Sequence, residues 1–293
     1  MNNTLSVWLQ ASRPKTLWAA VAPVIMGTAM AHADSVMHWP SAMAALAGAV
    51  LIQIGTNFAN DYFDFLKGAD AGPRLGPVRA TQAGLVTPQA MRTAFVIAFA
   101  LAFCIGIYLV WRGGWPIVAI GLSSILFGIL YTATPVALAY LGIADLFVLI
   151  FFGPVAVGGT YYVQALGITP TVLIAGLAPG LISTAILTVN NLRDIEGDRA
   201  AGKKTLVVRF GKTFARFEYL FSLLAACLIP VWLYLKGQAQ AAALAVLLTL
   251  PLALPAIRTI FSGAEGRVLN DVLAATGKLL LFYSLFFSIG WLW

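Results

Sequence analysis

Residues 41–60 read SAMAALAGAVLIQIGTNFAN, and residues 61–70 continue without a break as DYFDFLKGAD. A helix crossing a bilayer needs about 20 mostly apolar residues. Residues 41–60 therefore predict a membrane span that carries Asn57, Asn60, Asp61 and Asp64 to one membrane face. The rest of the chain repeats the pattern. Sixty per cent of its 293 residues are hydrophobic, only 10% are charged, and the mean hydropathy is +0.89. A soluble domain carries roughly 25% charged residues. With so few charges the chain could not cover a water-facing surface, so the bilayer is its solvent.

Nine spans are expected, at about 17–34, 41–60, 92–111, 115–132, 142–164, 168–190, 216–235, 239–257 and 272–292. They make an all-α bundle around a central cavity, with no separate soluble domain in residues 1–293. Two longer polar loops, 61–91 and 191–215, cap it on one side. The N-terminal segment shows no cleavable signal pattern. Cys104 and Cys227 lie in apolar runs and read as small buried hydrophobes. With nine spans, 15 of the 18 Lys and Arg residues fall on the side of the N-terminus and the long loops, against Arg112 and Lys236 opposite. This bias predicts that those loops face the cytoplasm. It also accounts for the net charge of +7 without nucleic-acid binding, and no obligate protein partner is evident.

Six of the 11 acidic residues fall in two short segments where a span meets a long loop. The first holds Asn57, Asn60, Asp61, Asp64 and Asp70. The second holds Asn190, Arg193, Asp194, Glu196 and Asp198. Steps of three and four put Asn57, Asp61 and Asp64 on one helix face, and Asn190, Asp194 and Asp198 on another. Stacked carboxylates repel unless a cation lies between them. Hard oxygen donors in this number suit Mg²⁺, which binds substrate phosphates as well. Lys67, Arg74 and Arg79 trail the first cluster, while Arg193, Arg199, Lys203 and Lys204 accompany the second. Acids to hold metal and bases to hold phosphate charge are what a metal-diphosphate complex requires.

These residues resemble the UbiA superfamily of intramembrane aromatic prenyltransferases. Asn60-Asp61-x-x-Asp64 is similar to that family's first motif and Asp194-x-x-x-Asp198 to its second. Position 68, where the first motif commonly has Asp, is Gly, and Asp70 follows. Arg13-Pro14-Lys15-Thr16-Leu17, Tyr140-Leu141-Gly142 with Asp145, Phe151-Phe152-Gly153, Asp198-Arg199-x-x-Gly202-Lys203-Lys204, and Ala275-Thr276-Gly277-Lys278 resemble the branch that prenylates 1,4-dihydroxy-2-naphthoate. The likeness covers almost the whole chain. One departure stands out. The family's Tyr-x-x-x-Lys element here reads Tyr131-Thr132-Ala133-Thr134-Pro135, and no Lys or Arg occurs between Arg112 and Arg193.

The resemblance implies transfer of a polyprenyl group from its diphosphate to an aromatic acid, giving demethylmenaquinone with loss of diphosphate and CO₂. It implies Mg²⁺ on Asp61, Asp64, Asp70, Asp194 and Asp198, with Asn57, Asn60 and Asn190 orienting its waters or phosphate oxygens. Lys67, Arg74, Arg193, Lys203 and Lys204 then bind substrate, and Tyr131 shields the allyl cation. Phe151, Phe152, Tyr161 and Tyr162 are further aromatics expected near the cavity. A bacterial inner-membrane enzyme with its site facing the cytoplasm follows. The alternatives are 4-hydroxybenzoate as acceptor, a secondary transporter using the acids as ion sites, and a phosphatidyltransferase, whose DGxxAR-like run neither cluster contains.

Overall fold

A computed structural model describes residues 4–68, 75–133 and 138–293. Asp70, Arg74 and the Thr134-Pro135 end of the fourth connection lie outside the described residues. Among these residues all regular structure is helical. Eight helical stretches are long and apolar enough to cross a membrane, and a shorter apolar helix makes the ninth segment.

The chain begins with α1 (Thr4–Ala11), then α2 (Pro14–Ala33), α3 (Trp39–Leu66), α4 (Pro88–Gly113) and α5 (Trp115–Leu130). The short α6 (Leu138–Leu141) leads to α7 (Ala144–Ile150), a π-turn at Phe151–Val155, and α8 (Ala156–Ala165). Next come α9 (Pro170–Arg193), α10 (Ile195–Ala200) and α11 (Leu206–Leu235). A 3₁₀ segment (Ala241–Thr249) runs into α12 (Leu250–Phe261), and α13 (Leu269–Leu292) ends the chain. The loops read from sequence as 61–91 and 191–215 are partly helical. α3 continues to Leu66, and α10 and the first turns of α11 occupy much of the second loop. Gly211, at φ 84°, breaks α11 five residues after it starts, so the span proper begins close to the expected residue 216.

In lipid every backbone polar group must be satisfied within the protein. Side chains do this at the helix starts. Thr87, Thr169 and Thr205 accept from the N–H of Ala90, Val172 and Val208. Pro88 and Pro170 follow two of these caps, where a missing N–H costs nothing. Inside the bundle, Tyr219 and Thr276 share a 2.9 Å hydrogen bond and Tyr283 donates to the Ala226 carbonyl, tying α11 to α13. α9, the most buried span, sits at the centre of the larger apolar core.

Pro154 stands inside the fifth span and removes one ladder donor. The helix absorbs this as the π-turn, and Gly153 leaves helical geometry there. Backbone meets backbone at this point. A Cβ on Gly180 of α9 would lie 2.3 Å from the Leu149 carbonyl oxygen, and one on Gly153 would lie 2.8 Å from that of Gly176. On the other side, Gly27 of α2 leaves no room before the Val157 oxygen, at 2.6 Å. The fifth span is thereby pinned between α2 and α9. Gly180→Val forces these backbones apart and should cost about 1–3 kcal/mol. It should show as a lower Tm in detergent and a smaller monodisperse fraction, while Gly167→Val, in open space, leaves both unchanged.

Candidate active site

A cavity of about 1200 Å³ runs through the bundle. Its mouth is formed by the end of α3, the turn after α5, the end of α9, and α10. Asn57, Asn60, Asp64, Lys67, Tyr131, Asn190, Asp194, Asp198 and Lys203 line it, joined by Arg13 and Arg79. Below the mouth the wall is apolar, with Phe127, Phe147, Phe151 and Phe152 on one side. The Phe127 and Phe147 rings lie 4.6 Å apart, and Phe147 stacks on Phe151. Phe103, Ile107 and Leu122 line the cavity and are 50–60% exposed, so its wall is thinly covered between α4 and α5. Gly106 and Gly121, also in the lining, add no side chain to that wall.

The carboxylates at the mouth each face a cation of the protein. Arg79 donates to Asp64 at 2.5 Å, with both side chains under 10% exposed. Lys203 pairs with Asp198 at 3.0 Å. Arg193 forks onto both oxygens of Asp194, at 2.8 and 2.5 Å. Burial pushes the Asp198 carboxyl up from the usual range, and Lys203 pulls it back. Burial lowers Lys67, against the opposing pull of Asp64.

Not every residue expected at the site lines it. Asp61 is buried and turned into the loop after α3, where both its oxygens accept backbone donors, from Ala80 at 2.9 Å and Thr81 at 3.1 Å. Arg193 is 4% exposed and is a hub: besides Asp194 it donates to Asn190 and to Asn270 of α13, and Asn270 in turn holds the Leu75 carbonyl. Lys204 is exposed and its carbonyl accepts from Arg209. Asn57 lines the wall but is engaged with the α1–α2 turn, donating to the Ser12 carbonyl at 2.9 Å. Asn60 accepts from Thr132, whose carbonyl takes the Lys67 ammonium, so the two residues tie the end of α3 to the segment after Tyr131. Tyr161 and Tyr162, expected near the cavity, are not in its lining. Their hydroxyls donate to Asp34 and to the Gly113 carbonyl, at the other end of the spans.

Arg79 enters the sequence reading only as one of several trailing bases. Its place beside Asp64 needs a fold-back over 15 residues, which helical spacing does not report. Among the described residues no three His, Cys or acidic side chains converge as a ready-made metal cage. The donor set nevertheless fits a metal-diphosphate complex. Asp64, Asp194 and Asp198 are hard oxygen donors around one cavity, and the bases opposite them are the partners phosphate oxygens need.

The sequence matches the UbiA prenyltransferase family over residues 20–286. It is 39% identical over 278 residues to a 1,4-dihydroxy-2-naphthoate octaprenyltransferase of Mycobacterium tuberculosis, covering 95% of this chain and 94% of that one. It is 37% identical over 294 residues to the Escherichia coli protein of the same name, covering 97% and 94%. Among solved structures, a UbiA homologue from Archaeoglobus fulgidus bound to GPP and Mg²⁺ superposes with a TM-score of 0.67 at 16% identity, over 98% of this chain and 99% of that one. The apo structure of a homologue from Aeropyrum pernix gives 0.68 at 15%, over 99% and 98%.

The two short contacts on Asp61 give it an anchoring role in the 75–87 loop. Charge-assisted hydrogen bonds contribute about 1.5–3 kcal/mol each. Asp61→Ala should therefore speed proteolytic cleavage within residues 75–87 several-fold and lower the Tm with no ligand present. Asp198→Ala, whose partner Lys203 lies in the second loop, should not reproduce the cleavage.

Proposed function

The chain belongs to the UbiA prenyltransferase family, and on that premise we propose that it transfers a polyprenyl group from polyprenyl diphosphate to 1,4-dihydroxy-2-naphthoate. The allylic C–O bond breaks, a C–C bond forms at the ring carbon bearing the carboxylate, and that carbon loses CO₂. Residues 1–293 act as a single domain, in a bacterial inner membrane with the site toward the cytoplasm. The 15-to-2 distribution of Lys and Arg supports that orientation.

One observation carries the reading. A single cavity joins three carboxylates and the bases Lys67, Arg79 and Lys203, at its mouth, to a long apolar chamber thinly covered on its lipid side. A water-soluble group with charge is held at one end and an oily chain at the other. In this reading Asp64, Asp194 and Asp198 hold the Mg²⁺ ions, and Lys67, Arg79 and Lys203 turn toward the diphosphate. Bound Mg²⁺ neutralises the leaving diphosphate. Asn60 and Asn190 keep the acidic segments oriented, while Arg193 fixes Asp194 from behind. Tyr131 and the Phe127–Phe147–Phe151 wall shield the allyl carbon from water with ring faces that favour positive charge. Asp61 serves the same site indirectly, by holding the loop that presents Arg79.

The relatives of 39% and 37% identity, matched over nearly their full length, support the naphthoate acceptor. Membranes carrying the protein, given octaprenyl diphosphate, Mg²⁺ and either 1,4-dihydroxy-2-naphthoate or 4-hydroxybenzoate, should yield labelled product from the naphthoate. Product from 4-hydroxybenzoate alone would overturn the acceptor. Chelation should stop turnover and added Mg²⁺ restore it. Asp64→Asn and Asp194→Asn should each lower kcat by about 100-fold or more. Full activity in either variant removes that residue from the metal site.

A further inference from the structure

Three polar side chains interrupt the apolar wall below the mouth: Gln53 and Thr56 of α3, and Ser124 of α5. All three are half-buried. Among the described residues none of them has a hydrogen-bond partner. Helical spacing explains why they face the cavity. Gln53, Thr56, Asn60 and Asp64 follow one another along α3 at steps of three and four. The face that carries an acid at the mouth thus continues inward as hydroxyl and amide. Ser124, Gly128 and Tyr131 repeat the pattern along α5 to its C-cap, and they line the same cavity.

Two contacts fix how these helices stand. Thr132 donates to the Asn60 side chain at 2.7 Å, and a Cβ on Gly128 would lie 2.5 Å from the Thr56 hydroxyl oxygen. On both segments the two contacts are four residues apart, so α3 and α5 run parallel and in register toward the mouth. The same register sets Ser124 level with Ile52 and Gln53, one further turn inward. Gly128 lets α5 come close enough to bring the three polar groups together. The result is a ledge of neutral groups, each able both to donate and to accept. Asn60 at the mouth and Gln53 on the ledge are seven residues apart, about 10 Å along the helix, which is room for a two-ring aromatic.

An isoprenoid chain has no group that can satisfy this ledge, and an unpaired polar group covered by hydrocarbon is costly. A carboxylate is a poor match too, because none of the three side chains is charged. A hydroxyl on an aromatic ring is a good match: it donates to the Gln53 amide oxygen and accepts from the amide or from a neighbouring hydroxyl. Resting on the prenyl-transfer reading, we propose that Gln53, Thr56 and Ser124 bind the acceptor hydroxyl that lies across the ring from the one beside the carboxylate. Held there, the ring turns its carboxylate-bearing edge toward the mouth, where the diphosphate leaves the allylic carbon. The ledge thereby selects dihydroxylated acceptors, and Gly128 is its positioning residue.

Equilibrium binding of two acids to the purified full-length protein, read by calorimetry without oxygen, tests the assignment without relying on turnover. The acids are 1,4-dihydroxy-2-naphthoate and 1-hydroxy-2-naphthoate, which lacks only the remote hydroxyl. The wild type should bind the dihydroxy acid at least five-fold more tightly. Gln53→Leu should cut that preference below two-fold, by weakening the dihydroxy acid and not the other. Thr56→Val and Ser124→Ala each remove one hydroxyl and keep the packing; each should lower the preference by a smaller factor, and they serve if Gln53→Leu fails to fold. In turnover, Gln53→Leu should raise KM for the dihydroxy acid at least five-fold while KM for the prenyl diphosphate moves less than two-fold. A wild type that binds the two acids equally, a preference that survives these substitutions, or a larger rise in the donor KM than in the acceptor KM overturns the proposal. Failure of the wild type to prenylate either acid, with the binding preference intact, sinks the prenyl-transfer reading instead and leaves the hydroxyl site standing.

Discussion

The structure depends on charge being matched inside the protein where water is scarce. Asp64, Asp194 and Asp198 are each held by a cation from another part of the chain or from their own helix end. Removing ions from water costs several kcal/mol apiece, and pairing with good geometry is what offsets it. This matching folds the two loops over the bundle. Arg79 brings the 75–87 loop down onto α3, and Arg193 ties α9 to α13 and to Leu75 through Asn270. Each of the three carboxylates at the mouth is matched by a cation of the protein, and Lys67 adds positive charge beside them. A diphosphate with its metal ions presents the same two kinds of charge in the same place. Binding then exchanges partners rather than exposing bare ions.

The apolar part of the design follows a parallel rule. No backbone group can be left without a partner in lipid. Threonine caps answer this at helix starts, and the π-turn answers it where Pro154 interrupts the fifth span. The interruption also brings glycine-lined backbones into contact at Gly153, Gly176 and Gly180, so the region that loses a ladder bond gains close packing. That span carries Phe147, Phe151 and Phe152 into the cavity, and its fixed position keeps the aromatic wall in register with Tyr131.

Much of this was legible in the sequence, because hydropathy and helical spacing are local signals. Among the described residues, eight helices long enough to span and one shorter apolar helix fall where the apolar runs place them. Asp64 and Asp194, on different helices far apart in the chain, do line one cavity. What the sequence hid is long-range or backbone-directed. Spacing puts Asp61 on the same face as Asp64, but the loop's unpaired N–H groups at Ala80 and Thr81 claim its carboxylate. Asn57 looks like a ligand by spacing and acts on the Ser12 carbonyl. Arg193 looks like a free phosphate binder and is fully committed to neighbours. In each case a backbone or side-chain partner distant in sequence decides the role, and no periodicity encodes it. The extension of α11 back to Leu206 was hidden for a related reason: its first turns are polar enough to read as loop, and Gly211 marks the join.

The thinly covered wall between α4 and α5 bears on how this protein meets its substrate. A chain of many isoprene units that enters through it never passes through water, so bulk molarity is the wrong measure of its supply. What counts is its fraction among the lipids around the protein. Two preparations with equal donor per litre but unequal amounts of lipid or detergent present the protein with different surface densities. The bilayer is thus both solvent and reservoir: it sets how often the cavity is visited, while water sets only the traffic of the acid, the metal and the released diphosphate.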